Sequence, residues 1–211
     1  MEHHFWHDRW KTNRIGFHES QPNPLLVHHF PTLSVPEQGR VFVPLCGKTL
    51  DIGWLLSKGH RVAGAELSEL AIQQLFENLG VEPAISDLGE LRRYSADGID
   101  IFVGDVFAVT QTILGPVDAV FDRAAFVALP EGTRATYASH IADITGTAPQ
   151  LLITFEYDPT QIDGPPFSIT NDEVKRRYGD RYELSSLACV DVAGGMKGVP
   201  AKENVWLLKP L

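Results

Sequence analysis

From Arg40 onward the chain alternates short apolar runs with amphipathic segments, joined by glycine-bearing turns, and few folds tolerate that order. Residues 40–44 (RVFVP) read as a strand, 45–48 (LCGK) as the turn after it, and 49–58 (TLDIGWLLSK) as a helix that stops at Gly59. A second strand over 61–65 leads to a helix capped by Ser68 and ended by Gly80. Strands that are apolar throughout need both faces covered, so repeated strand and helix units demand a parallel sheet between two helical layers. Further strands are expected over 91–94 and 99–103, turning at Asp97-Gly98, over 117–121, and over 150–157 (QLLITFEY), the strongest of all. A helix is expected over 131–144, where Tyr137, Ile141 and Ile144 share a face, and another opens at Thr170, which forms a capping box with Glu173. Two closing strands over 182–192 and 204–209 complete a doubly wound, mostly parallel α/β sheet of about seven strands.

Residues 1–35 lack that order and are rich in aromatics, His and Pro. Trp6 and Trp10 stand four apart, on one face of a helix, which makes the segment a lid or anchor. The reading is one domain over 1–211, with a lid arm (1–35) laid over a core (40–211); the 211-residue length suits a single core. Trp6 is expected in that core and Trp10 against a ligand. Asn23 before Pro24 suits the start of a short helix.

Eighteen Lys and Arg face 27 Asp and Glu, and the resulting net charge of −9 repels phosphate backbones and anionic lipid. Nucleic acid and membrane are therefore not expected partners. Two cysteines, Cys46 and Cys189, are too few for a disulfide scaffold. The start, MEHHFWHDRW, has no basic stretch leading into an apolar one. A cytoplasmic setting is expected, and a sheet closed by its own last strands suits a monomer.

In open parallel sheets ligands bind beyond the carboxyl ends of the strands, so the turns there carry the candidates. Gly47 lies in the first turn, and Glu66 follows the second strand, nineteen residues later. A carboxylate at that spacing accepts hydrogen bonds from both hydroxyls of a ribose diol. Gly104-Asp105-Val106 and Asp122-Arg123 follow the next strand ends. The Gly-x-Gly-x-x-Gly fingerprint for a pyrophosphate is absent, which disfavours a nicotinamide- or flavin-dependent oxidoreductase. Gly47-Lys48-Thr49 is not the end of a phosphate-binding loop either, because Phe42 stands where the leading glycine belongs. An adenosyl ligand without phosphate, S-adenosylmethionine, needs one close backbone approach and free N–H groups, which Gly47 and the helix after it can supply. Cys46 adjoins a tight turn without a histidine partner and reads as inert. His3, His4 and His7 have no carboxylate or thiolate at ligand spacing, so no metal is expected.

Several segments, taken in order, resemble the bacterial thiopurine S-methyltransferases. They are Phe5-Trp6-x-x-Arg9-Trp10, Arg14-Ile15-Gly16-Phe17-His18, Val43-Pro44-Leu45-Cys46-Gly47-Lys48, Glu66-Leu67-Ser68-Glu69-Leu70-Ala71, Gly104-Asp105 and Asp122-Arg123-Ala124. Glu156-Tyr157 and Gly164-Pro165-Pro166-Phe167-Ser168 extend the likeness over nearly the whole chain. The resemblance implies a class I methyltransferase fold and methyl transfer from S-adenosylmethionine to the sulfur of a small aromatic thiol or related chalcogen compound. It further implies that Trp10, Leu45, Glu66 and Arg123 line the donor site, with Asp105 and Val106 at the adenine. Arg123 is expected to favour the acceptor's anionic form, with Phe17 and His18 at its ring and no dedicated base. Ala193-Gly194-Gly195-Met196-Lys197-Gly198 departs from the charged connection expected before the last strand, which bears on acceptor fit. Competing readings are a selenium- or tellurium-methylating resistance protein and a non-catalytic binder of the donor.

Overall fold

A computed structural model describes residues 3–15 and 19–211. Its strands form one sheet in the order β3-β4-β5-β2-β1-β6-β7-β9-β8. They are β1 (Arg40–Pro44), β2 (Arg61–Glu66), β3 (Ala84–Asp87), β4 (Arg92–Ala96), β5 (Ile99–Val103), β6 (Ala119–Arg123), β7 (Gln150–Tyr157), β8 (Tyr182–Asp191) and β9 (Ala201–Pro210). The five central strands, β5-β2-β1-β6-β7, run parallel, and the remaining pairings are antiparallel. Every expected strand is present, β4 included, and β3 is the addition that brings the sheet to nine strands among the described residues where about seven were expected. No hydrophobic pattern marks β3, because all four of its residues are exposed and pairing with β4, not burial, holds it.

The helices are α1 (His3–Lys11), α2 (Pro24–His29), α3 (Leu50–Ser57), α4 (Glu69–Leu79), α5 (Gln111–Leu114), α6 (Glu131–Ile144) and α7 (Asn171–Tyr178). Alternation along each strand splits the core into two layers. Val41, Val43, Val62 and Ile101 pack under α2, α3 and α4 through Leu26, Ile52, Leu55 and Leu75. Phe42, Ala63, Phe102 and Leu152 pack on the other face with Tyr137 and Ile141 of α6 and Val174 of α7. Ser68 caps α4, Gly80 ends it at φ 69° and Thr170 accepts the Glu173 N–H, as expected, whereas Thr49, expected as the first residue of a helix over 49–58, is the cap before α3.

Two buried polar ties fix what the apolar layers leave free. Asp51 Oδ1 accepts the Asn23 N–H at 2.7 Å while Asn23 caps α2, so the segment after α1 is fastened to α3. Arg134 grips Glu173 through Nε and Nη2 at 2.7 and 3.0 Å, locking α6 to α7. The chain leaves β1 toward β2 on one side and reaches β6 on the other, so the strand order reverses there and a crevice opens beyond the carboxyl ends of β1 and β6.

Asp122 does not form a surface ion pair with Arg123, since neighbours on a strand face opposite ways. It is fully buried, accepting the Tyr137 hydroxyl at 2.8 Å and the Phe126 N–H at 3.0 Å. Burial pushes its carboxyl up to about 6 from the ordinary 3.8, against the pull of those donors. The folded chain therefore binds this proton more tightly than the unfolded chain. The resulting stabilisation is complete below the unfolded value and is lost as pH rises through the folded one. Asp122→Asn keeps an acceptor for Phe126 and removes the charge. Thermal unfolding should show the variant gaining on the parent between about pH 4 and 7, by up to about 3 kcal/mol; parallel pH profiles would refute it.

Candidate active site

The turn after β1 is built from left-handed backbone: Leu45 has φ 46° and Gly47 φ 53°. Gly47 is required twice over, because a Cβ there would stand 3.0 Å from the Trp10 ring. Trp10, buried on α1, is thus packed directly on the turn. Glu66 holds the turn from below. One carboxylate oxygen, Oε2, accepts the Gly47 N–H at 2.9 Å and the other, Oε1, accepts the Ser68 N–H at 2.8 Å. Burial pushes this carboxyl up, and the N–H groups of Ser68, Gly47 and Leu67 oppose that by favouring the ionised form. Cys46 donates its N–H to the Ala65 carbonyl at 3.0 Å, so β1 and β2 end in register. Its thiol is driven well up by burial and by the Glu66 charge, which keeps it protonated and a poor nucleophile.

A cavity of about 760 Å³ opens above these strand ends. Trp10, Leu45, Glu66, Asp105, Val106 and Arg123 all line it, so every described candidate residue comes to one place. Gly104 allows the third turn by its φ of 143°, since a Cβ would meet Leu91 at 2.7 Å and the Glu90 carbonyl at 3.0 Å. Asp105 then accepts the Phe107 N–H through Oδ1 at 3.0 Å and meets His3 Nε2 through Oδ2 at 3.1 Å. A contact from α1 therefore already uses one oxygen of this carboxylate. Val106 is nearly buried and presents an apolar wall.

At the far end Arg123 extends from β6 and donates through Nη2 to Glu19, just beyond α1. Phe155, Val127, Pro166 and Met196 make that end apolar, and Glu203 of β9 joins them.

Phe17 and His18 lie outside the described residues. Trp6, expected in the core, is half-buried and lines the cavity instead; helical spacing put it on the face of Trp10 without saying what covers that face. Among the described residues no group of three His, Cys, Asp or Glu suits a metal ion. Glu19, Glu203 and Phe155 were missed. They reach the site through long-range pairing, and no local motif marks them.

The family described as Thiopurine S-methyltransferase (TPMT) matches residues 1–209. Among curated proteins, a thiopurine S-methyltransferase of Xanthobacter autotrophicus is 55% identical over 211 residues, covering 99% of each chain. One of Teredinibacter turnerae is 51% identical, covering 99% of this chain and 97% of its own. Among solved structures, a Burkholderia thailandensis 1,6-didemethyltoxoflavin-N1-methyltransferase superposes with TM-score 0.67 at 15% identity, covering 98% of this chain and 87% of its own. An Anabaena variabilis SAM-dependent methyltransferase follows at TM-score 0.64 and 14% identity, covering 98% and 95%. At such identities these structures speak to the fold, which is that of class I methyltransferases.

The Gly47 turn and the Trp10 ring should be energetically coupled. Gly47→Ala should lower the unfolding free energy by about 1–2 kcal/mol from left-handed strain, plus a further loss from the ring contact that disappears in a Trp10→Ala background. Denaturant titration of the double-mutant cycle checks this; equal losses in both backgrounds would disprove the contact.

Proposed function

This chain belongs to the thiopurine S-methyltransferase family, and on that premise we propose that its cavity moves a methyl group from S-adenosylmethionine to the sulfur of a small aromatic thiol. Family membership makes it an S-adenosylmethionine-dependent S-methyltransferase rather than a passive binder. The observation that carries the residue assignment is the Glu66 carboxylate, which accepts the Gly47 and Ser68 N–H groups beside a turn that only glycine allows.

The residues fit such a donor. Each Glu66 oxygen spends one lone pair on the backbone and keeps another for a ribose hydroxyl. Leu45 and Val106 supply the apolar walls for an adenine, and Asp105 stands at its edge. Trp10 offers a π face to a cation, an attraction of about 0.5–2 kcal/mol. The bound donor supplies an activated methyl group on a sulfonium sulfur. Charge is lost when a sulfonium meets a thiolate, so a dry site favours the transition state, and the apolar far end provides one. Arg123 is the cation placed to favour the acceptor's anionic form, and alignment of donor and acceptor is worth about 7–11 kcal/mol when complete.

The working unit we propose is a monomeric, cytoplasmic, one-domain enzyme (1–211) with residues 1–35 as lid arm and 40–211 as core. Supporting this are the net charge of −9, a sheet that β8 and β9 complete from within, and the packing of Trp10 on the Gly47 turn. A small thiol, without nucleic-acid or membrane partners, agrees with the cavity size and the acidic surface. No helix among the described residues is long and apolar enough to cross a membrane.

Calorimetry with S-adenosylhomocysteine and a methyl-transfer assay on an aromatic thiol test the assignment. Glu66→Gln should weaken S-adenosylhomocysteine at least about tenfold, a loss near 1.4 kcal/mol. Arg123→Ala should keep that affinity within about threefold while kcat/KM for the thiol falls by about tenfold or more. Unchanged binding in the first variant, or unchanged turnover in the second, removes the corresponding role.

A further inference from the structure

The far end of the cavity holds a carboxylate that the donor assignment leaves unused. Glu203 stands on β9, paired with Phe155 of β7 on one side and with Val190 of β8 on the other. It lines the same cavity as Arg123, Glu19 and Phe155, and is itself partly buried. Alternation along β9 turns Lys202 and Asn204 to the opposite face, where Asn204 Nδ2 donates to Glu156 at 3.3 Å. The charged groups that share Glu203's side of the sheet are therefore Arg123 from β6, Glu19 from the arm, and Lys197 from the β8–β9 connection.

The four acidic groups of the cavity named so far are not alike: Asp105 accepts the Phe107 N–H and meets His3. Glu66 is fastened by backbone donors, and Glu19 is engaged by Arg123. Glu203 is acted on by burial first, which pushes its carboxyl up, then by the Arg123 charge, which favours ionisation, and the Glu19 charge, which opposes it; no hydrogen bond contributes. A carboxylate that is partly desolvated, facing an apolar chamber and not committed to a structural donor, suits a mobile proton.

We propose that Glu203 is the proton acceptor for the methyl-accepting thiol, acting beside Arg123. The inference rests on the thiol-acceptor reading above. The S–H bond breaks and the proton passes to a Glu203 carboxylate oxygen. The electron pair stays on the acceptor sulfur and forms its bond to the methyl carbon as that carbon's bond to the donor sulfonium breaks. The products are a methyl thioether, S-adenosylhomocysteine and a protonated Glu203 that returns its proton to water. Arg123 then stabilises the developing thiolate instead of abstracting the proton, a task for which its own permanent charge disqualifies it. Acceptors that are mostly protonated at neutral pH thereby come within reach of the enzyme.

The test compares two aromatic thiols of similar size, one ionised at the assay pH and one protonated. Glu203→Gln should lower kcat for the protonated thiol by about a hundredfold and for the ionised thiol by less than about threefold, with S-adenosylhomocysteine affinity unchanged by calorimetry. For the protonated thiol the acid limb of the pH profile should also move up toward the thiol's own pKa. Glu203→Asp, which keeps a shorter carboxylate, should recover activity on the protonated thiol preferentially, and it carries the same comparison if the Gln variant folds poorly. Equal losses on both thiols, or none, overturn the proton-acceptor role while leaving the methyltransferase reading in place. A parent enzyme that methylates neither thiol overturns the acceptor reading, and the inference with it.

Discussion

One carboxylate, that of Glu66, ties the geometry of the site together. Its oxygens join the N–H of Gly47 after β1 to the N–H of Ser68 before α4, so two strand ends and two helix starts share one anchor. A charged acceptor makes each of these bonds about twice as strong as a neutral one, and they offset part of the penalty of burying the charge, although burial still pushes the carboxyl up. The arrangement has a consequence for the lid. Because the turn is pulled down onto Glu66 and lacks a Cβ at Gly47, the Trp10 ring can lie flush on it. Packing of α1 thus depends on a hydrogen bond made beneath the sheet's rim.

The arm is held at both ends of the crevice by different physics. Near the donor end, contact is aromatic and apolar through Trp10, with His3 reaching Asp105. Near the acceptor end, contact is ionic through Glu19 and Arg123. Asp51 fastens the following segment by accepting the Asn23 N–H. An exposed polar contact such as that of His3 with Asp105 contributes little. Trp10 and Asp51, both buried, therefore set where the N-terminal segment lies, and the exposed charged contacts add little.

Legibility in the sequence followed burial. Strands covered on both faces, such as 40–44 and 150–157, announce themselves by uninterrupted apolar runs, and Ser68 and Thr170 mark their helix starts, whereas α5 behind its Thr110 cap is too short to show a period. β3 escaped notice because AISD buries nothing, so no hydrophobic pattern was demanded of it. The same logic divides the site. Glu66, Asp105 and Arg123 sit at ends of parallel strands, where topology alone says ligands gather. Glu203 sits within an antiparallel strand, and its arrival in the cavity depends on the register that sets it against Phe155, a pairing across 48 residues that no local spacing encodes. Trp6 shows the complementary limit: a helical spacing of four fixes which residues share a face, but what lies under that face is a tertiary fact.

The two ends of the cavity also differ in how their shape is fixed. At the donor end the walls are strand termini of the parallel core, pinned by backbone hydrogen bonds, so a ligand there meets a preformed surface. At the acceptor end, part of the wall is the β8–β9 connection, where Gly194, Gly195 and Gly198 all adopt positive φ. At Gly195 a Cβ would stand 2.2 Å from the Val199 carbonyl oxygen, so the tight turn that presents Met196 and Lys197 tolerates no other residue. The side chains it presents carry apolar bulk and one flexible cation instead of a fixed hydrogen-bonding array. A sulfur nucleophile asks for little more, since thiol and thioether sulfur are weak hydrogen-bonding groups and gain mainly from contact and desolvation. On the roles proposed for Arg123 and Glu203, selectivity is set by what the chamber does to a proton and a charge more than by the outline of the acceptor's ring.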